Sequence, residues 1–521
     1  MAAKIRWRMR LCSLCLFWGA SFLPSAAQDA TPSNPAQSDE NSSPQSLLIR
    51  SYIASQQLGP EERAMVLMYL ALTATPIEPA YNRLWSEELF YVAFQLPQNW
   101  NRVAYEKNAL EALCESDPVL ALELLGRIED PIATDSGSFP EDVRAFAAQK
   151  VFLAYWKRKG QAHLDEIRAQ GQHLGATGQY PYVAMIPIVL DLARSDRNLA
   201  EAVFNEALTY FSRGSRFDSA NPDFLQFLNS VWEVLPAPLK HQALDVAVNQ
   251  LTRQPASSPD EKFRGTSWTS SHATEFTDQN RQLLFELLPR IREVDPQWAK
   301  RLLDKEPWLA AAAESGGIHR SDSAVIQNAS SATPEQIAAA QRRLMQRRTL
   351  AQVEHEAAQN PDAALVTSRS LTDPEFQAVA LADIAAGFAK NNPATAGQLL
   401  DQANGITSKL KGSPEKVTAL FAKAKAHYAL HDLKAMRTNW TRAFDLGQEL
   451  FQEDIETHPG MLAYRAACFD NLANLAKYGG KVEPQMVLQA IGVVRNQLLQ
   501  AYLPIFAAEG IFDHQQMHSQ N

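Results

Sequence analysis

His355-Glu356, in the stretch VEHEAAQNP, opens the spacing of a helical zinc site, in which a second histidine four residues on would complete one metal-binding face. That position is Gln359, so the pattern stops short of a metal centre. His427 and His431 also stand four apart with Asp432 adjacent, and on a continuous helix they would share a face as two ligands of an incomplete surface site. Beyond residue 27 there is no Gly-x-Ser-x-Gly elbow, no glycine-rich phosphate loop and no Cys-x-x-Cys pair. Only Cys114 and Cys468 remain there, in ALEALCESD and YRAACFDNL, and they read as two buried helical thiols in preference to a bridge. Ten tryptophans, among them Trp85, Trp100, Trp156, Trp232, Trp268 and Trp440, are potential sugar-stacking groups, although helix-borne tryptophans more often fill cores. The residues therefore nominate no catalytic, cofactor-binding or metal-binding set.

The elements that would position these residues begin after a leader. Lys4, Arg6, Arg8 and Arg10 precede an apolar stretch from Leu11 to Leu23, and Ser25-Ala26-Ala27 supplies small residues for cleavage. The apolar stretch is shorter than the roughly 20 residues of a membrane helix, so residues 1–27 read as a signal peptide, with no stable membrane span after cleavage. The expected location is periplasmic or secreted. Removal of the four leader cations shifts the formal charge from −9 to −13. An acidic chain disfavours nonspecific nucleic-acid binding and attraction to anionic membranes. Two basic clusters run against that balance, Lys157-Arg158-Lys159 and the group Arg342, Arg343, Arg347 and Arg348. The second reads as the solvated face of a helix with Leu344 and Met345 turned inward.

Residues 28–45 contain no bulky apolar side chain and read as a disordered spacer. From there on the period is helical, and Asp117-Pro118, Asn221-Pro222, Ala237-Pro238 and Asp295-Pro296 mark places where a cap or proline opens a helix. Sustained period-two alternation is missing, so strands are expected to be few or absent. The polar stretch 254–275 reads as a surface loop. Residues 313–333 combine Gly-Gly with Ser, Asn and Thr and read as a linker between an N-terminal helical domain (46–312) and a C-terminal one (334–521). Long single helices are expected at 459–477 and 484–508.

A recurring pattern places small residues and a bulky one at i, i+4 and i+7, as in Ala200, Phe204 and Ala207 or Ala396, Leu400 and Ala403. Small residues so spaced let a neighbouring helix approach closely. The run from Ala419 to Leu433 (ALFAKAKAHYALHDL) resembles the first helix and turn of a tetratricopeptide repeat, and the next helix continues the likeness through Trp440 and Ala443. It departs from the pattern by placing Ala435 one residue early and by lacking the closing proline. The resemblance is clearest over 360–450, where Ala364 and Ala396 lie 32 residues apart, near the roughly 34-residue period of that repeat. It implies an all-α fold of antiparallel helical hairpins stacked as a solenoid, in two parts, with a groove for a protein or peptide partner. An exported scaffold or binding module without identified catalysis is the expected function. The alternative is an all-helical carbohydrate-active or cell-wall enzyme. Glu314-Ser315 and Leu344-Met345-Gln346 imitate two motifs of exported lytic transglycosylases, but Arg343 replaces the required glycine.

Overall fold

Proline after aspartate or asparagine punctuates the chain, and four such pairs start helices by the same chemistry. Proline fits the first helical position because its missing N–H would have no partner there, while the preceding carboxylate or amide satisfies a free backbone N–H. Asp117 accepts from Leu120 N at 3.1 Å, Asp295 from Gln297 N and Trp298 N at 2.8 and 3.0 Å, Asn360 from Ala363 N at 3.2 Å, and Asn392 from Thr395 N at 3.2 Å. Each cap is worth about 1 kcal/mol.

A computed structural model describes residues 42–129, 143–214, 220–253, 265–268, 273–276, 278–314, 334–458, 461 and 463–519. The expected leader, nearly all of the spacer, and linker residues 315–333 lie outside the described residues. Those described form 23 α-helices. The N-terminal series is α1 (Pro44–Ser55), α2 (Pro60–Ile77), α3 (Pro79–Phe94), α4 (Trp100–Ser116), α5 (Pro118–Leu125), α6 (Val143–Lys159), α7 (Leu164–Ala176), α8 (Tyr182–Ser195), α9 (Arg197–Ser212), α10 (Ala220–Val231), α11 (Ala237–Arg253), α12 (Gln279–Val294), α13 (Pro296–Lys305) and α14 (Pro307–Glu314). The C-terminal series is α15 (Pro334–Gln359), α16 (Pro361–Ser368), α17 (Pro374–Phe388), α18 (Pro393–Thr407), α19 (Pro414–Ala429), α20 (Leu433–Thr457), α21 (Phe469–Val482), α22 (Pro484–Gly492) and α23 (Gln497–Ser519). None of them is long and apolar enough to cross a membrane.

Sequential helices pair, and alternate helices pack side by side. Thus α17 pairs with α18 and α19 with α20, while α15, α17 and α19 form a row; α4, α6, α8 and α10 form another. Alanines make the row of α15, α17 and α19 close: Ala378, Ala382 and Ala385 of α17 and Ala419, Ala422 and Ala426 of α19 are all buried in one cluster. The small-residue stripes Ala200/Phe204/Ala207 and Ala396/Leu400/Ala403 are likewise buried. In α20 the residue on the inner face is Met436, followed by Trp440 and Ala443, which explains why Ala435 is out of step with the repeat pattern. At the other side of the molecule α1 packs against α23, and α23 also touches α2.

Several sequence expectations give way. The segment 254–275 is not wholly loop: Gly265–Trp268 (β1) pairs antiparallel with Ala273–Phe276 (β2), and Phe276 anchors the hairpin on Phe285 of α12 at 5.3 Å between centroids. Residues 307–314 form a further short helix. The helix expected over 459–477 starts only at Phe469, because Cys468 adopts a left-handed backbone (φ 64°) that no helix accommodates. The one expected over 484–508 is two: α22 ends at Gly492, and Asn496 caps α23 by accepting from Leu499 N at 3.2 Å. Asn221-Pro222 lies within the first turn of α10 and not ahead of it.

Candidate functional site

The residues nominated for chemistry do not converge. His355 is exposed on α15 and its Nε2 meets the Gln359 amide at 3.2 Å, while Glu356 accepts from Thr367 and Gln352 at 2.6 and 2.7 Å, tying α15 to α16. His427 and His431 do not share a helical face, since α19 ends at Ala429 and His431 stands in the following turn with φ 60°. Among the described residues no three histidine, cysteine, aspartate or glutamate side chains come together as a metal set. Gln346 takes a structural part, accepting from Thr372 N at 2.8 Å and donating to Ser370 O at 3.2 Å. Met345, expected to turn inward, is 61% exposed: the inner stripe of α15 runs through Leu350, Val353 and Ala357, and Met345 lies about a third of a turn off it. Leu344 has no described side chain.

Cys114 and Cys468 are both free thiols, half-buried and buried. Burial pushes each up to about 12, so neither supplies a thiolate nucleophile near neutral pH. Cys114 lines a cavity of about 490 Å³ between α4 and α6, where Lys150 is already held by Glu111 at 2.8 Å. Four of the tryptophans are in the core: Trp85, Trp156, Trp232 and Trp440 are buried, and the last three donate their indole N–H to Asp191, Glu293 and Leu475 O at 2.9, 2.9 and 3.0 Å. The side chains of Trp100 and Trp268 lie outside the described set. The buried four cannot serve as sugar platforms.

What the helices do bring together is a face made by α15, α17, α19 and α21. Along α19, Thr418, Phe421, Lys425 and Tyr428 follow one another at spacings of three and four, hence on one side of the helix. Asn471 of α21 donates to Thr418 Oγ1 at 2.9 Å, and Tyr478 of the same helix stands edge-on to both Phe421 and Tyr428, at 5.3 and 6.2 Å. Tyr428 is 39% exposed. On the other flank Lys425 pairs with Asp383 of α17 at 3.1 Å and lies over the Phe421 ring at 5.5 Å. Asp383 Oδ2 is buried without a hydrogen-bond partner among the described residues. Glu354 of α15 completes this group; burial, and then the Asp383 charge, raise its carboxyl above the usual range. Nearer the helix starts, Arg343 of α15 reaches Glu375 of α17 at 3.5 Å and also pairs with Glu415 of α19. Burial and the Glu415 charge raise Glu375 in turn.

Chemically the face is a stripe of three aromatic rings beside an acidic ladder in which Glu354, Asp383, Glu375 and Glu415 outnumber Lys425 and Arg343. Of the sequence-singled residues only Arg343 falls on it. Phe421, Lys425 and Tyr428 were visible within the repeat-like run, but Asp383, Glu354 and Tyr478 become neighbours only when alternate helices align. The chain matches no known family model, no curated protein and no solved structure.

Proposed function

We propose that the protein is an exported helical-repeat binding module that holds a protein or peptide partner on the face of α15, α17, α19 and α21, in the manner of a tetratricopeptide array. The observation that carries this reading is the side-by-side packing of alternate helices, which lays Phe421, Tyr428 and Tyr478 and the Lys425–Asp383 pair along one surface. Aromatic rings offer contact area at low entropic cost and are enriched in recognition sites. The carboxylate excess selects a partner segment bearing a cationic side chain, whose guanidinium or ammonium would lie on Tyr428 and near Glu354. Export rests on the leader and on the acidic, polar spacer that follows it. The alternative enzyme reading draws nothing from Trp85, Trp156, Trp232 and Trp440, which are buried, or from Gln346, which is engaged with the backbone at Ser370 and Thr372.

A random-peptide display selection tests the binding role. The expected result is enrichment of sequences carrying arginine or lysine beside an apolar residue, with capture lost for Tyr428→Ala and for Lys425→Glu combined with Asp383→Lys. A selection that enriches nothing, or peptides whose capture ignores these substitutions, would contradict the proposal.

A further inference from the structure

Helices α1 and α23, near opposite ends of the described chain, pack closely on each other. Helix α1 spends most of its buried face on α23, with Leu47, Leu48 and Ser51 fully buried and Ser51 Oγ donating to the Ala501 carbonyl across 450 residues of sequence. Tyr69 of α2 adds an edge-on contact to Tyr502 at 5.2 Å and a tilted one to Phe506 at 5.4 Å. Tyr502 in turn stacks on Phe469 of α21 at 4.1 Å, so the contact runs straight into the C-terminal core. One hydrophobic cluster accordingly contains residues from Leu47 to Leu309 and from Val417 to Ile511. A 12-residue helix such as α1 is marginal in water and owes its existence to such packing.

We propose that this seam is an autonomous recognition surface by which segments 43–314 and 334–519 hold each other, so that the covalent link through 315–333 is not what keeps them together. The partner each surface fits is the other half of this chain. Its chemistry is an apolar helix face with a buried hydroxyl on one side, and a small-residue and tyrosine groove with a carbonyl acceptor on the other. Both halves carry their own packed helices, and α1 draws its stability from the contact they make. The inference is independent of what the α15–α21 face binds.

A protease site placed within 315–333 of the full chain tests it. After cleavage, size-exclusion chromatography with mass detection is expected to show the two fragments eluting as one 1:1 complex with unchanged helical circular dichroism. Ala501→Glu sets a carboxylate into the seam and is expected to weaken fragment association at least tenfold, splitting the peak. Should uncleaved Ala501→Glu fail to fold, Tyr69→Ala trims only the ring contact and is expected to shift the association in the same direction. Separate elution of the wild-type fragments would overturn the proposal, and so would seam variants that fold and stay associated as tightly as the wild type.

Discussion

Lys423 stands 5% exposed on α19 with no ion pair or hydrogen bond among the described residues. Burial, reinforced by the Arg442 cation of α20, lowers its ammonium from 10.5 to about 8. The unfolded chain therefore holds this proton more tightly than the folded one, and stability rises with pH through the window from about 8 to 10.5. At pH 7 the buried charge is a standing cost. Lys423→Met, which keeps the length and removes the charge, is expected to raise stability by about 2 kcal/mol at pH 7 and to flatten that rise, as urea titrations at pH 7, 8.5 and 10 would read. An unchanged midpoint would show that the amine reaches water. Nothing in AKAKAHYA distinguishes Lys423 from Lys425; only the packing of α19 between α17 and α20 buries one and leaves the other on the face. The histidine pair fails for the reverse reason, since its i, i+4 spacing presupposes a helix that stops two residues before His431.

Helix starts were the most legible elements, because Asp-Pro and Asn-Pro act through local hydrogen bonds that need no tertiary partner. The break between α22 and α23 was passed over although local signals mark it, Gly492 at the end of one helix and the Asn496 cap at the start of the next. Where α21 crosses α23, glycines stand on both: a Cβ at Gly480 would come within 2.6 Å of the Ala507 carbonyl, and one at Gly510 would collide with the backbone at Lys477. Backbone cannot yield as a side-chain tip can, so Gly480→Ala and Gly510→Ala are each expected to cost about 2 kcal/mol or more by prying the pair apart. Gly405→Ala, in α18 with open space around it, is expected to gain about 0.5–1 kcal/mol from helix propensity alone. Thermal melts of the three variants check the contrast, and equal effects at crossing and open positions would refute the close approach.

At the scale of the whole molecule, the helical character and the packing of neighbouring helices were legible in the small-residue spacing, because that spacing is the imprint of close helix packing. Neither the α1–α23 contact nor the assembled face was legible, since both depend on residues brought together from distant parts of the chain: Ser51 and Ala501 in one case, Glu354, Asp383, Lys425 and Tyr478 in the other. The acidic balance of the chain acquires a local meaning on that face, where carboxylates outnumber cations beside the exposed Tyr428 ring. The central claim is that this face holds the partner, and hydrogen–deuterium exchange with a display-selected peptide tests it most directly. Slowed exchange confined to residues 334–359, 374–388, 414–429 and 469–482, absent in Tyr428→Ala, is the predicted result. Protection centred elsewhere, or no protection at saturating peptide, would contradict the account.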